Sequence, residues 1–151
     1  MATPPKLEFL YFPPKQFSPR FGDNIFTAII ENYERVKPTD TCVGSPYIVY
    51  VIAISRGKST WAVKRRFSEF EKLLQYLKEK YPKTKQPFPA LPPKTWCSAV
   101  NDDDFLSERE NEMKTLLNEM LTTMHMEKLL LDDHLADFLE YSNYYSKVEN
   151  I

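Results

Sequence analysis

The chain has 151 residues, of which 42% are hydrophobic and 14% aromatic, and its formal net charge at pH 7 is −1. This length and composition predict one domain with enough apolar side chains for a core, which excludes a chain that is disordered throughout. The near-zero charge excludes a general basic field, so we expect no nucleic-acid partner and a local cluster of basic side chains at any anion site.

Several classes of enzyme and metal site lack their characteristic residues. The three glycines lie too far apart for a nucleotide-binding glycine loop. Cys42 and Cys97 are too few for a four-cysteine zinc site, and we expect them to be reduced thiols. His125 and His134 have neither a zinc-protease motif nor a nucleophile motif beside them, and helix-surface or boundary positions are expected for both. We therefore expect no metal, no cofactor and no enzymatic activity.

No stretch of the sequence is long enough to cross a bilayer. The longest wholly apolar run, Ile48 to Ile54, is far shorter than the roughly 20 residues of a membrane span, and the first twenty residues hold no apolar signal core. Contact with a membrane is therefore expected at its surface.

The N-terminal residues are rich in proline and show no sustained periodicity. This predicts an extended or partly disordered segment over residues 1–22, a folded domain over residues 23–146 and a short tail over residues 147–151.

Three stretches have the composition of β-strands. Phe26 to Val36 forms the first, and a loop over Lys37 to Pro46 separates it from the second. Tyr47 to Ile54 and Ser59 to Arg66 are joined by a short glycine-containing turn, which predicts a hairpin.

Helical periodicity begins where the third strand ends. The first helix has an apolar stripe and a Ser68/Glu71 capping box, and its stripe consists of Phe70, Leu73, Leu74, Leu77 and Tyr81. A proline-rich loop follows over residues 82–96, because prolines lack the backbone donor of a helix or strand.

Two further helices are predicted after the proline-rich loop. Ser107 and Glu110 form a second capping box, preceding an apolar stripe from Met113 to Met124, while Asp102-Asp103-Asp104 is expected to be a solvated loop. The last helix is expected after Asp132-Asp133, which can cap it. The order of strands followed by three or four helices indicates an α+β fold.

A basic triplet, Lys64-Arg65-Arg66, lies at the boundary between the last predicted strand and the first helix. Strand alternation sends Arg65 and Arg66 to opposite faces, so only Arg66 shares a face with Lys64. A guanidinium beside a helix N-terminus suits a phosphate. The alternative is that these side chains are solvated or pair with Glu69 and Glu71.

Two other basic residues could complete an anion site. Arg109 precedes Met113 by one helical turn, which places it on the inward side of the helix, within the expected first turn. An inward cation needs an anionic or hydroxyl-rich partner, or alternatively a salt bridge to the Asp102-Asp103-Asp104 run. Lys94 ends the proline loop and, considered alone, is typical of a solvated lysine.

Together these segments resemble the phox-homology (PX) domains of sorting nexins. The resemblance covers roughly residues 24–141 and is carried by three motifs in order: Arg65-Arg66-Phe67-Ser68-Glu69-Phe70, Leu91-Pro92-Pro93-Lys94 and Phe105-x-x-x-Arg109. It implies a three-stranded antiparallel sheet packed on a helical subdomain. It also implies a phosphoinositide-binding module whose usual ligand is phosphatidylinositol 3-phosphate, acting in endosomal membrane trafficking and protein sorting.

The resemblance also assigns roles to individual residues. It implies that Arg66 holds the 3-phosphate, that Phe67 stacks on the inositol ring, that Lys94 meets the 1-phosphate and that Arg109 hydrogen-bonds the 4- and 5-hydroxyls. Arg65 resembles a family arginine with a less uniform, supporting role. The family more often has tyrosine at the position of Phe67, and phenylalanine keeps the apolar face.

The proline loop supports two further expectations. Trp96 lies where the family carries apolar residues that insert into the bilayer interface, and the alternative is that it folds back on the core. The protein is then expected on the cytosolic face of endosomal membranes, with cargo or sorting-complex proteins as partners. An alternative function is a protein-interaction module, because Pro89-x-x-Pro92-x-Lys94 matches an SH3-ligand pattern.

Overall fold

The computed structural model describes residues 8–37, 46–94 and 101–141. Cys42, Trp96, Cys97 and the expected tail lie outside these ranges. The described residues form one mixed sheet of four strands and three α-helices, which confirms the α+β class. These elements are β1 (Leu10–Tyr11), β2 (Ile25–Val36), β3 (Tyr47–Arg56), β4 (Ser59–Arg66), α1 (Phe67–Lys80), α2 (Asp103–Met126) and α3 (Asp133–Leu139).

The three long strands lie where the sequence predicted them. β2, β3 and β4 are antiparallel neighbours in chain order, and β3 pairs with β4 without a register shift. Their hairpin turns at Gly57, which has a φ of 55°. A Cβ there would meet Asp23 Oδ1, which would have to shift, and the left-handed φ favours glycine at this position.

The sheet has a fourth strand that the sequence did not predict. Leu10 and Tyr11 form β1 and pair in parallel with Ile25 and Phe26 of β2. Phe9 stacks on Phe26 with ring centroids 4.9 Å apart. Residues 8–22, which we expected to precede the domain, therefore supply a strand and core side chains. A strand of two residues is too short to show a period of two, so β1 could not be predicted from the sequence.

β1 is attached to α2 as well as to the sheet. The Tyr11 hydroxyl donates to Asn118 Oδ1 at 2.7 Å, and the Tyr11 backbone N–H donates to His125 Nδ1 at 3.2 Å. Tyr11 is 2% exposed, and burial raises the pKa of its hydroxyl well above the ordinary value. His125 thus has the half-buried boundary position expected from the sequence.

Two helix starts differ from their predicted positions. α1 begins at Phe67, because the Glu69 carboxylate accepts the Arg66 backbone N–H at 2.9 Å. Ser68 is therefore inside the helix and is not its cap. α2 begins at Asp103, because Asp102 accepts the Phe105 N–H at 3.1 Å, which places Ser107 inside the helix too. An aspartate is as good an N-cap as a serine, so the pattern alone could not choose between them.

The helices pack their apolar stripes on one face of the sheet. The largest fully buried side chains come from both layers and include Phe26, Ile30, Ile52, Ile54, Phe70, Leu74, Leu77, Met113, Leu117, Met120 and Leu121. None of the helices in the described ranges is both long enough and apolar enough to cross a membrane.

Asp132 fixes the start of α3, as the sequence predicted. Its carboxylate accepts the backbone N–H groups of His134 at 2.9 Å and Leu135 at 3.1 Å. These are two of the donors that a helix leaves without an internal partner.

The same carboxylate joins α3 to the end of α1. It accepts hydrogen bonds from the Tyr81 hydroxyl at 2.6 Å, the Tyr76 hydroxyl at 3.3 Å and Lys80 Nζ at 3.4 Å. Burial alone would raise the pKa of Asp132, but the bonds from Tyr81, the Leu135 N–H and Lys80 hold it below its ordinary value. The charged form is therefore the one that the fold stabilises.

We expect Asp132→Ala to lower the free energy of unfolding by about 2–3 kcal/mol, because it removes a helix cap and leaves buried donors unpaired. Urea unfolding at pH 7 measures this loss. Asp133→Ala, at the exposed neighbouring position, is the control and should change stability by less than about 0.5 kcal/mol. Equal losses in the two variants would contradict the role of Asp132.

Asp132 should also make stability depend on pH. Because its pKa is lower in the folded state than the ordinary 3.8, its contribution is complete above that value and is lost as pH falls through the folded-state pKa. The stability difference between the parent and Asp132→Asn should therefore shrink below about pH 4. Urea unfolding at a series of pH values from 7 to 3 tests this, and a constant difference would contradict it.

Candidate anion-binding site

The two arginines at the end of β4 point to opposite sides of the sheet, as alternation predicts. Arg65 Nε donates to the Phe138 carbonyl at 2.9 Å, and its Nη2 donates to the Asp137 carbonyl at 3.4 Å. Trp61 Nε1 donates to the Leu139 carbonyl at 2.9 Å. A cation near the C-terminus of α3 also interacts favourably with the helix dipole. The contacts of Arg65 therefore attach α3 to the sheet.

Arg66 lies on the other side and is exposed. Its guanidinium carbon is 4.0 Å from the centroid of the Tyr47 ring, which is cation–π geometry. In the described ranges, no carboxylate lies within ion-pair distance of this guanidinium. Its donors are thus available to an anion from solution.

Arg109 is buried, with only 5% of its surface exposed. Its guanidinium carbon is 5.2 Å from the ring centroids of both Phe67 and Phe105, and one Nη donates to the Pro93 carbonyl. Its Nε is buried and has no acceptor in the part of the chain that the structure describes. Since α2 begins at Asp103, Arg109 lies in the second turn of the helix and not in the first, but it faces inward as predicted.

The positive charge of Arg109 affects the pKa of Tyr50, a neighbouring tyrosine in the core. Burial raises the pKa of Tyr50 to about 12, and the positive charge of Arg109 opposes this rise. Both side chains are buried, so water screens the charge of Arg109 only weakly here.

Three other basic residues at this end of the sheet differ from Arg66 and Arg109, because each is paired with a carboxylate. Three ion pairs are formed, namely Lys94 with Glu71, Lys64 with Glu34, and Arg35 with Asp103. The expected alternatives, that Arg66 pairs with Glu69 or Glu71 and Arg109 with the Asp102-Asp103-Asp104 run, are not observed among the described residues. Arg66 and Arg109 instead contact aromatic rings, as Arg65 does at the Phe138 ring.

A chain of contacts joins four of the predicted site residues. Arg66 is followed by Phe67, Phe67 faces the Arg109 guanidinium, and Arg109 holds the carbonyl of the residue before Lys94. We call Arg66, Phe67, Lys94 and Arg109 the basic cluster. Trp96, the predicted insertion residue, lies outside the described residues, so its role stays a prediction.

Two aromatic residues of the site, Tyr47 and Phe105, were not among the predicted site residues, although Phe105 begins one of the three motifs. Tyr47 begins β3, and the register pairs Val49 with Arg66, which places Tyr47 on the same face and diagonally across from Arg66. Phe105 is one turn before Arg109 on α2, a spacing that brings side chains together. The hairpin register and the helix period contain this information, but only once the strand pairing and helix start are known.

Comparison with known proteins gives one consistent family. The model of the family described as PX domain matches residues 54–142. Sorting nexin-16 from Rattus norvegicus is 30% identical over 98 residues, which is 60% of this chain and 28% of that protein. Sorting nexin MVP1 from Candida albicans is 40% identical over 62 residues, or 41% of this chain and 8% of that protein. The chain thus spans less than a third of either relative.

Solved structures share the same fold. A designed CISK-PX domain is 25% identical with a TM-score of 0.57, and the match covers 75% of this chain and 97% of that domain. The PX domain of mouse SNX19 with a bound sulphate ion is 19% identical with a TM-score of 0.54, over 75% of this chain and 93% of that one.

The contacts predict that the two neighbouring arginines differ in their effect on stability. Arg65→Ala should lower the free energy of unfolding by about 1.5–3 kcal/mol, because charged hydrogen bonds to α3 are lost. Arg66→Ala should cost less than about 1 kcal/mol, since only an exposed cation–π contact is removed. Urea unfolding of both variants measures the difference, and a larger loss for Arg66→Ala would contradict these assignments.

Proposed function

The chain belongs to the PX domain family, and from this we propose that it binds phosphoinositide headgroups at the basic cluster, with phosphatidylinositol 3-phosphate as its ligand. In this proposal Arg66 holds the 3-phosphate and Phe67 supports the inositol ring. Lys94 meets the 1-phosphate, and Arg109 donates to the 4- and 5-hydroxyls. Arg65 supports the site indirectly through α3.

The observation that carries the proposal is the buried guanidinium of Arg109. Removing a charged group from water costs several kcal/mol unless a partner compensates, and fold stability alone favours an apolar side chain at such a position. Two rings and one carbonyl compensate only in part, because Nε has no acceptor among the described residues. A hydroxyl-rich, anionic ligand would supply the missing acceptors.

The proposed module recognises a membrane and breaks no bond. It would place the protein on the cytosolic face of endosomal membranes, where cargo or sorting-complex proteins would be its partners. Trp96 would add insertion into the interface. Burying its roughly 150–250 Å² at about 25 cal/mol/Å² has an upper limit of about 4–6 kcal/mol.

The structure disfavours the alternative in which the proline loop is an SH3 ligand. The Pro87 carbonyl accepts the Thr123 hydroxyl at 3.2 Å, and the Pro93 carbonyl accepts Arg109. Pro89 and Pro92 between these anchors are half-buried. An SH3 domain needs the faces of both prolines, so docking would require the loop to leave α2.

The first test uses two substitutions in the basic cluster. Arg66→Gln and Arg109→Met should each weaken binding to vesicles containing phosphatidylinositol 3-phosphate by at least about tenfold, since a charge-assisted contact is worth about 1.5–3 kcal/mol. Sedimentation with vesicles that contain 3-phosphorylated, 4-phosphorylated or no phosphoinositide measures affinity and preference together.

Stability is the control for this test. Arg109→Met should remain within about 1 kcal/mol of the parent, because a buried charge is often replaced by an apolar side chain without loss. Lys58→Gln, at the exposed hairpin turn, removes a positive charge far from the basic cluster and should bind as the parent does. Parent-like binding by Arg66→Gln, or no phosphoinositide preference in the parent, would refute the proposal.

The Lys94–Glu71 ion pair generates an opposite prediction. Glu71 Oε1 is 3.0 Å from Lys94 Nζ and competes with a phosphate for this cation. Glu71→Gln should therefore tighten vesicle binding by about two- to fivefold, which corresponds to an exposed ion pair. Glu79→Gln, on the exposed part of the same helix, is the control, and equal effects of the two substitutions would contradict a role for Glu71.

A further inference from the structure

One edge of β2 is left open beyond the short β1. β1 pairs only with Ile25 and Phe26, and the last ladder bond on that side runs from the Phe12 N–H to the Phe26 carbonyl at 3.0 Å. Because backbone groups alternate in direction along a strand, those of Ala28 and Ile30 face the same side as those of Phe26. They have no backbone partner there among the described residues. We call residues 27–30 the open edge.

The sequence itself explains why β1 stops. Pro13 and Pro14 follow Phe12, and neither has an N–H to continue the ladder. The chain instead continues beside β2 as a 3-10 helix over Pro14–Gln16, which makes no ladder bond to β2 among the described residues. The vacancy beside the open edge is therefore built into the sequence of the domain.

A cavity occupies this vacancy. Its volume is about 340 Å³, within the range of roughly 300–1,000 Å³ that is usual for binding sites. Pro13 and Pro14 form one wall, the open edge forms another, and α2 contributes the rest. Ile29 is 41% exposed there and offers an apolar surface to a ligand.

The rim of the cavity is basic. Lys15 and Lys114 both border it, and no carboxylate among the described residues pairs with Lys15. Lys114 Nζ forms an ion pair with Glu110 Oε2 at 3.4 Å. A partner with an acidic residue at this point would be favoured over a basic one.

We propose that the open edge binds an extended peptide segment of a partner protein, which adds to the sheet as a strand in line with β1. The peptide's backbone would bond the free groups of Ala28 and Ile30, an apolar side chain would enter the cavity beside Ile29, and an acidic residue would face Lys15. Strand addition is a general way for a sheet edge to recognise peptides. The β-bulge between Ile30 and Asn32 would end the new ladder, because a bulge disrupts regular pairing.

This site is separate from the basic cluster. The register places Glu34 opposite Val49, which in turn pairs with Arg66, and Ile30 is four residues, or about 13 Å, from Glu34 along β2. The cavity lining shares no residue with the basic cluster, and the inference does not depend on the proposed lipid ligand.

The test uses acetylated and amidated eight-residue peptides in which valine alternates with threonine and the first residue is glutamate, glutamine or lysine. Titration of the labelled domain by NMR, with amide hydrogen exchange, should show exchange at Ala28 and Ile30 slowed at least about tenfold by the glutamate peptide. The lysine peptide should bind about two- to fivefold more weakly. Proline at a central threonine should weaken binding at least about tenfold, because a ladder donor is lost.

Matched variants distinguish peptide binding at the open edge from nonspecific hydrophobic binding. Ile29→Lys should weaken the glutamate peptide at least about tenfold, since a charge on an edge strand opposes pairing. Leu131→Lys makes the same change at a residue that is 39% exposed and lies outside the cavity, and it should bind as the parent does. Both variants should keep the parent's unfolding temperature and vesicle binding.

Three results would overturn the proposal. The first is that no peptide in the set binds. The second is that the glutamate peptide binds but slows exchange at amides other than those of Ala28 and Ile30, or that it binds Ile29→Lys as tightly as the parent. The third is protection of these amides without peptide, together with concentration-dependent dimers in sedimentation, which would show that the edge pairs with a second copy of the chain.

Discussion

A guanidinium in a protein core must find acceptors, and this requirement organises the site around Arg109. With 5% of its surface exposed, Arg109 contacts the rings of Phe67 and Phe105 and donates to the Pro93 carbonyl. These contacts connect α1, α2 and the proline loop. The unpartnered Nε shows that the connection is incomplete within the described residues. An arrangement that costs stability in this way is typical of a site that is completed by a ligand.

Side chains alternate along β4, so its two adjacent arginines have different roles: Arg65 stabilises the fold and Arg66 lies at the candidate site. Arg65 satisfies carbonyls at the end of α3, which a helix cannot satisfy internally, whereas Arg66 faces Tyr47 on the other side. At the opposite end of α3, Asp132 satisfies the free N–H groups and also binds Tyr81. Charged side chains thus stabilise both ends of α3. A helix of this length would not be stable without such contacts.

The N-terminal segment combines a structural part with an interruption. Phe9 and Tyr11 pack on the core, so residues 8–12 add a short edge strand and part of the core to the domain. Pro13 and Pro14 then stop the ladder and leave the neighbouring part of β2 open. The same segment therefore stabilises the fold and leaves an open edge beside a cavity whose lining shares no residue with the basic cluster.

The sequence by itself determined the α+β class, the three long strands, the helical stripes and the opposite directions of Arg65 and Arg66, because periods of two and 3.6 residues are local properties. It also indicated that Arg109 faces inward. Only the tertiary structure decided that β1 exists, that Asp102 and Glu69 set the helix starts, and that Tyr47 and Phe105 border the arginines. These features depend on strand register and on packing between distant segments, where several local patterns are equally favourable and the contact energy selects one.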